Sequence, residues 1–165
     1  TQGNDTFEGR QDVSWLRSDV FDVAVHNFRQ VIAYAMEGGN DEATLKDSAL
    51  DDEVYMKAHK SEIFDLQTKG EIYKITARRF DTVHADGSQG DGYDKVKIWE
   101  TPRDNHVEAD DNWAQLWDQK TEPEMLYDVL AFEFVKVRAS TGGNDTSNVT
   151  EPLQFDLLFA DGWNV

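Results

Sequence analysis

The sequence predicts a mainly β protein, an antiparallel sheet or barrel with one or two helices packed on it, or an α+β domain if residues 19–37 are helical. Three observations carry this expectation. Residues 70–84, 93–99, 126–140 and 153–159 are rich in β-branched and aromatic side chains and are separated by turn-forming clusters. In the last of them Leu153, Phe155, Leu157 and Phe159 alternate against Gln154 and Asp156, the pattern of a half-buried strand. Residues 18–39 show a competing helical spacing.

In chain order, residues 1–18 are polar and read as an extended N-terminal arm anchored by Trp15 and Leu16. The remainder, 19–165, is one β-rich domain, with length enough for a core of its own. Between 18 and 39, Phe21, Val25, Phe28, Ile32 and Ala35 recur at helical intervals. Ser18 or Asp19 would form the N-cap, and Gly38 lies past the end. Val20, Val23, Val25, Val31 and Ile32 suit strands equally, but a strand so long would be exceptional, so a helix is expected. Residues 40–60 are acidic and only patchily apolar; they read as a long excursion with a short helix near 50–58, of the kind that makes contacts. The glycine-rich stretch 85–92 reads as a hairpin turn between the first two strands. Asp110 or Asp111 can cap a short helix presenting Trp113, Leu116 and Trp117 to the sheet. No internal repeat is evident.

Charge is the dominant global feature: 33 acidic against 16 basic residues, a net of −17. The acids are dispersed and interrupted by aromatics, which argues against a disordered tail. A solvated acidic surface suited to high salt explains them, with cations at acidic contacts; a basic partner is the alternative. No basic run stands out, Arg78-Arg79 being too little, so direct nucleic-acid binding is not expected. Cysteine is absent, which excludes disulfides and thiolate chemistry. No apolar run reaches the ~18 residues of a helical membrane span, and the N-terminus has no apolar signal region.

Motifs are sparse. No catalytic, cofactor-binding or metal-binding set is assigned. Residues 86–94 offer oxygen ligands for Ca²⁺ but lack the EF-hand register and its bidentate Glu, so an acidic hairpin tip is the plainer reading. If 18–37 is helical, Asp22 and His26 share a face near Arg29 and Gln30, an acid–base pair or an exposed polar stripe. Trp113 and Trp117 beside Asp110, Asp111 and Asp118 suit either a sugar platform or a core anchor. Three sequons, at Asn4, Asn144 and Asn148, fall in polar segments where a glycan would be solvated.

The C-terminal third, "VKVRASTGGNDTSNVT" followed by "LQFDLLFADGWNV", resembles the closing hairpin of tail-tube subunits of tailed viruses and of the related type VI secretion tube protein. The resemblance spans about forty residues and contains no invariant motif. It implies a β-barrel protomer with a flanking helix, an N-terminal arm, and a long loop that contacts the next ring. The reading that follows is a non-enzymatic structural subunit of a homo-oligomeric or mixed assembly. A virion component from a high-salt setting, with a virion or extracellular location, is the specific expectation. Two alternatives stand beside it. One is a cone-shaped α+β ligand binder or enzyme, with Asp22 and His26 in a cavity walled by Trp99 or Tyr73. The other is a secreted, glycosylated carbohydrate-binding protein.

Overall fold

The computed structural model describes residues 3–36, 38–119, 124–138 and 143–150. These residues hold fifteen strands and no helix. The chain opens with β1 (Thr6–Gly9), β2 (Val13–Arg17), β3 (Asp22–His26) and β4 (Gln30–Tyr34). It continues through β5 (Glu42–Lys46), β6 (Asp52–Lys57), β7 (Lys60–Asp65) and β8 (Lys74–Arg78). Next come β9 (Thr82–Asp86), β10 (Lys95–Trp99), β11 (Asn105–Asp110) and β12 (Trp113–Asp118). The last three are β13 (Glu124–Leu130), β14 (Phe134–Arg138) and β15 (Thr146–Val149).

Two sheets form. Sheet A has the order β15-β11-β12-β13-β9-β5-β1-β2-β3, and sheet B the order β14-β10-β6-β7-β8-β4. Strands β1, β5, β9 and β13 lie parallel in sheet A, and β6, β10 and β14 in sheet B. A sheet A strand is followed round a corner by a sheet B strand, so the chain winds as a β-solenoid with antiparallel meanders spliced into its rungs. This overturns the expected barrel and the expected packed helices. Strict alternation builds the core: Ala43, Leu45, Val83, Ala85 and Val129 of sheet A face inward, as do Val54, Met56, Ile63, Ile75, Val96 and Ile98 of sheet B. Residues between them point out, as a period of two requires.

The corrections have local causes. Residues 19–37 divide into β3 and β4, and Asn27 between them takes the left-handed conformation (φ 57°) that breaks any helix. Their apolar residues are frequent enough to satisfy both periods. Residues 50–58, expected to include a short helix, form β6 at the middle of sheet B. In β12 the inward residues are Ala114 and Leu116, both fully buried, while Trp113 and Trp117 face outward; the i, i+3, i+4 spacing was coincidental. Residues 85–92 turn a corner between sheets instead of closing a hairpin, since β9 and β10 belong to different sheets. Residues 1–18, expected as an arm, contain β1 and β2 within sheet A. The predicted strand at 153–159 lies outside the described residues.

The chain also has a repeat that reading in sequence misses. Thr6 pairs with Glu42, Glu42 with Thr82 and Val83 with Tyr127, successive steps of 36, 40 and 44 residues. Unequal steps hide the period. What recurs is a corner: Gly3-Asn4-Asp5, Gly39-Asn40-Asp41 and Gly143-Asn144-Asp145 each precede a sheet A strand. Gly39 holds φ 97°, and a Cβ there would lie 2.6 Å from the Gly3 carbonyl oxygen. At position 39, so close to the preceding corner, only glycine fits.

Candidate functional site

Aspartates lock the corners. The Asp5 amide donates to Asp41 Oδ1 at 2.7 Å, and the Asp41 amide donates to Asp81 Oδ2 at 2.9 Å. The Asn105 amide likewise donates to Asp145 Oδ1 at 2.9 Å. At the opposite corner, the Asp52 amide donates to Asp94 Oδ1 (2.7 Å) and the Asp94 amide to Glu133 Oε2 (2.8 Å). Asp47 accepts from the Gln89 and Gly90 amides. Each carboxylate thus satisfies a turn N–H of the neighbouring rung that has no strand partner. Eight aspartates are buried among the described residues, so the acidity is in part a requirement of the corners.

Burial of these groups has an electrostatic cost. It pushes the carboxyls of Asp41, Asp47 and Asp52 above their ordinary range. Asp94 is pushed up to about 7, by burial first and then by the charges of Asp52, Asp47 and Glu133, against the opposing hydrogen bond from the Asp52 amide. Beside them the Tyr73 hydroxyl and Asp52 Oδ1 are each buried without a hydrogen bond of good geometry. Burial and the Asp52 charge raise the phenol's pKa further. Among the described residues, no group of three His, Asp or Glu side chains is arranged to hold a metal ion.

The residues singled out from sequence are dispersed. Asp22 and His26 sit at the two ends of edge strand β3, exposed, with Asp22 3.4 Å from Arg17. No cavity wall forms there: Tyr73 is in the core and Trp99 faces outward on sheet B. Trp117 stacks at a tilt against His106, 5.9 Å between centroids, on the outer face of sheet A. Within 86–94, Asp86 and Asp94 bond to turn amides. Asn4, Asn144 and Asn148 are exposed; Asn4 accepts the Asn40 amide and so also serves a corner.

Two surfaces stand out instead. The first is the end of the solenoid formed by β3 and β4, the edge strands of the two sheets. Val23 faces the core side of β3, beside Leu16, yet is 50% exposed, since among the described residues no rung follows. Val20, Phe28, Ile32, Tyr34 and Met36 are exposed around it. Residues 17–36 contain no Lys or Pro, the residues that commonly protect edge strands, and their two Arg balance their two Asp.

The second surface is the outer face of sheet B. It carries Lys57, Lys60, Lys74, Arg78, Lys95, Lys97, Lys136 and Arg138, eight of the chain's 16 basic residues, against only Glu53 and Glu62. The face is therefore about +6 on a chain of −17. Aromatic rings fix the cations in place: Lys57 Nζ lies 4.2 Å from the Trp99 centroid and Lys97 Nζ 5.1 Å from Tyr55. Arg138 reaches Trp99 at 5.7 Å, Lys74 reaches Phe64 at 5.5 Å, and Arg78 reaches Tyr34 at 5.6 Å. Glu62 accepts from Lys60 (2.7 Å) and Lys74 (2.9 Å). Burial alone would raise its pKa, but the two ammonium groups hold it below the usual range.

A cleft of about 350 Å³ continues this face round the solenoid's edge, and His59, Arg79, Phe80 and Arg103 help line it. Arg79-Phe80-Asp81 occupies the corner position held elsewhere by Gly-Asn-Asp. Arg79 takes φ 61° and His59, whose carbonyl accepts the Arg79 amide, φ 65°. Two bulky side chains thus hold backbone better suited to glycine, at a cost of about 1–2 kcal/mol each.

Sequence reading missed the basic face because its cations come from five strands spread over 57–138, each alternating with core residues. The available signal was that alternation, Lys95-x-Lys97 and Lys136-x-Arg138, in strands otherwise apolar. No family model, curated protein or solved structure matches the chain. Among the described residues no helix is long and apolar enough to cross a membrane.

Proposed function

We propose that the chain is a structural building block that joins a second copy of itself through the open end formed by β3 and β4. The observation carrying this reading is that, among the described residues, both sheets end there in unpaired strands while the core-facing Val23 stays half exposed. An occupant that satisfies the end must offer two strand edges separated by one sheet-to-sheet distance, about 10 Å. A second solenoid end offers both. Local charge favours the same partner: residues 17–36 are neutral, so the full −17 lies elsewhere and two copies can approach here without strong repulsion. A two-fold axis along the sheet normal sets β3 antiparallel to its counterpart and β4 likewise, continuing both sheets through an isologous interface.

Sedimentation velocity tests the proposal. The wild-type chain is expected to sediment as a dimer, and Val23→Lys and Phe28→Asp as monomers with unchanged far-ultraviolet circular dichroism. Phe28 lies in the turn between the two edge strands, so its replacement leaves the core intact. A wild-type chain that stays monomeric at the highest attainable concentration, or folded variants that dimerise as well as it does, would overturn the proposal.

A further inference from the structure

The geometry points to a second binding function: the basic edge of sheet B binds a linear acidic polysaccharide, sulfated or uronic. One cross-strand row on the outer face reads Tyr34, Arg78, Lys60, Lys57, Trp99, Arg138, following the pairings of β4, β8, β7, β6, β10 and β14. Neighbouring strands lie about 4.8 Å apart, so the row presents a cation at four of its six strands, Arg78, Lys60, Lys57 and Arg138, along one edge of the solenoid. A pyranose chain bearing one anionic group per sugar or per disaccharide advances by steps commensurate with that spacing. The anion-facing track therefore repeats with the strands, as a periodic ligand requires.

Three further observations favour this class of partner. The cleft beside the row sets Arg79 next to Lys57 and Lys60, while its Arg103 is taken up by Asp118 at 2.7 Å and Asp81 and Glu124 also line it. Arg79 makes no ion pair or side-chain hydrogen bond among the described residues, although its backbone is left-handed where the stacked Gly39 corner has glycine. A strained arginine without a structural partner is a residue whose side chain has another use. Finally, the aromatic rings in and beside the row are covered by cations of the same face, Trp99 by both Lys57 and Arg138. Of the two rings in the row, Trp99 supports the charges and Tyr34, at its end, stays 51% exposed, too little for a run of stacked bases. Recognition is thus by charge at fixed spacing, which suits a polysaccharide better than the stacked bases of a single-stranded nucleic acid.

Isothermal titration of the intact chain with heparin, with polygalacturonate and with a single-stranded oligodeoxynucleotide tests the inference. Binding to one or both polysaccharides is expected, weakening steeply as salt rises from about 0.05 to about 0.2 M. Heparin alone binding assigns sulfate as the recognised group, and polygalacturonate alone assigns carboxylate. Arg79→Gly decides between a binding role and a packing role. Loss of affinity by about three- to tenfold together with an unchanged or raised melting temperature supports the inference, because glycine relieves the backbone while removing the cation. Arg78→Gln and Lys60→Gln should each weaken binding similarly, and Lys46→Gln on the opposite sheet should not. Absence of binding to both polysaccharides, tighter binding of the oligonucleotide, or an equal loss in Lys46→Gln would overturn it.

Discussion

Replacing Asp94 by Asn should make the protein more stable at alkaline pH, although it removes a carboxylate that caps a corner. Asp94 is 1% exposed, and the Asp52 amide donates to its Oδ1 at 2.7 Å, a bond that an asparagine side-chain oxygen can keep. A neutral asparagine is no longer repelled by the charges of Asp52, Asp47 and Glu133, which act on this position. Folding raises the Asp94 pKa from 3.8 to about 7. Between those values the folded state keeps a proton that the unfolded chain has released, so stability falls as pH rises through the window. At about 1.4 kcal/mol per unit, a shift of about three units amounts to roughly 4 kcal/mol, best treated as an upper bound for one member of a coupled cluster. Asp41, Asp47 and Asp52 are shifted in the same direction and steepen the fall. The carboxyls held low, Asp51, Glu62, Asp65 and Asp128, lose their contributions only in acid, below this window. Urea denaturation of wild type and Asp94→Asn across about pH 5 to 8 measures the effect directly. With a protonated Asp94 equivalent to Asn, the variant should exceed wild type by up to about 1.6 kcal/mol at the acid end and by up to about 4 kcal/mol at the alkaline end. A wild-type stability that rises with pH, or a variant less stable at pH about 8, would refute the reasoning.

Gly39→Ala should destabilise by more than the ~1 kcal/mol typical of a glycine exchange, because φ is 97° and the new Cβ meets the Gly3 carbonyl; thermal unfolding reads this out. His59→Gly should be neutral or stabilising by up to about 1 kcal/mol in the same assay, since its φ is 65°. The His84–Asp128 pair, 3.1 Å apart, should show an imidazole pKa raised by Asp128 despite opposing burial, measurable by proton NMR titration. Its stabilisation is fully present below the unfolded imidazole pKa and is lost as pH rises through the folded one, so Asp128→Asn should remove it. Dimerisation through the open end should strengthen with salt, whereas polysaccharide binding should weaken, a divergence that separates the two surfaces in one titration series.

Residues 93–99 contain β10 as expected, but 70–84 and 126–140, each read as one strand, break at a corner into β8 with β9 and β13 with β14, in different sheets. Topology was hidden because a parallel rung pairs residues about 40 positions apart through corners of unequal length, and strand alternation says nothing of the partner's direction. The Gly-Asn-Asp triplets were visible, but two of them, at Asn4 and Asn144, overlap sequons and read as glycan acceptors. Their backbone role appears only once Asp41 and Asp145 are seen accepting amides from neighbouring corners. Charge misled for a related reason. A net of −17 sums corner aspartates that are buried with face lysines that are not, and so conceals a face of opposite sign. The segment 19–37 was misread because Val, Ile, Phe and Ala at an open, half-exposed end meet both periodicities.

All of these inferences rest on the stacking of corners and strands from rung to rung. Because the chain has no cysteine, spin labels can be placed at Thr6 and Thr82 alone, both outward on sheet A and each directly paired with Glu42 between them. Two strand spacings put their Cα atoms about 10 Å apart, within range of dipolar broadening in a frozen sample. The stacked solenoid predicts strong broadening, present with both labels and absent with either one alone. Spectra that superimpose on the sum of the single labels, meaning a separation beyond about 20 Å, would contradict the arrangement and everything built on it.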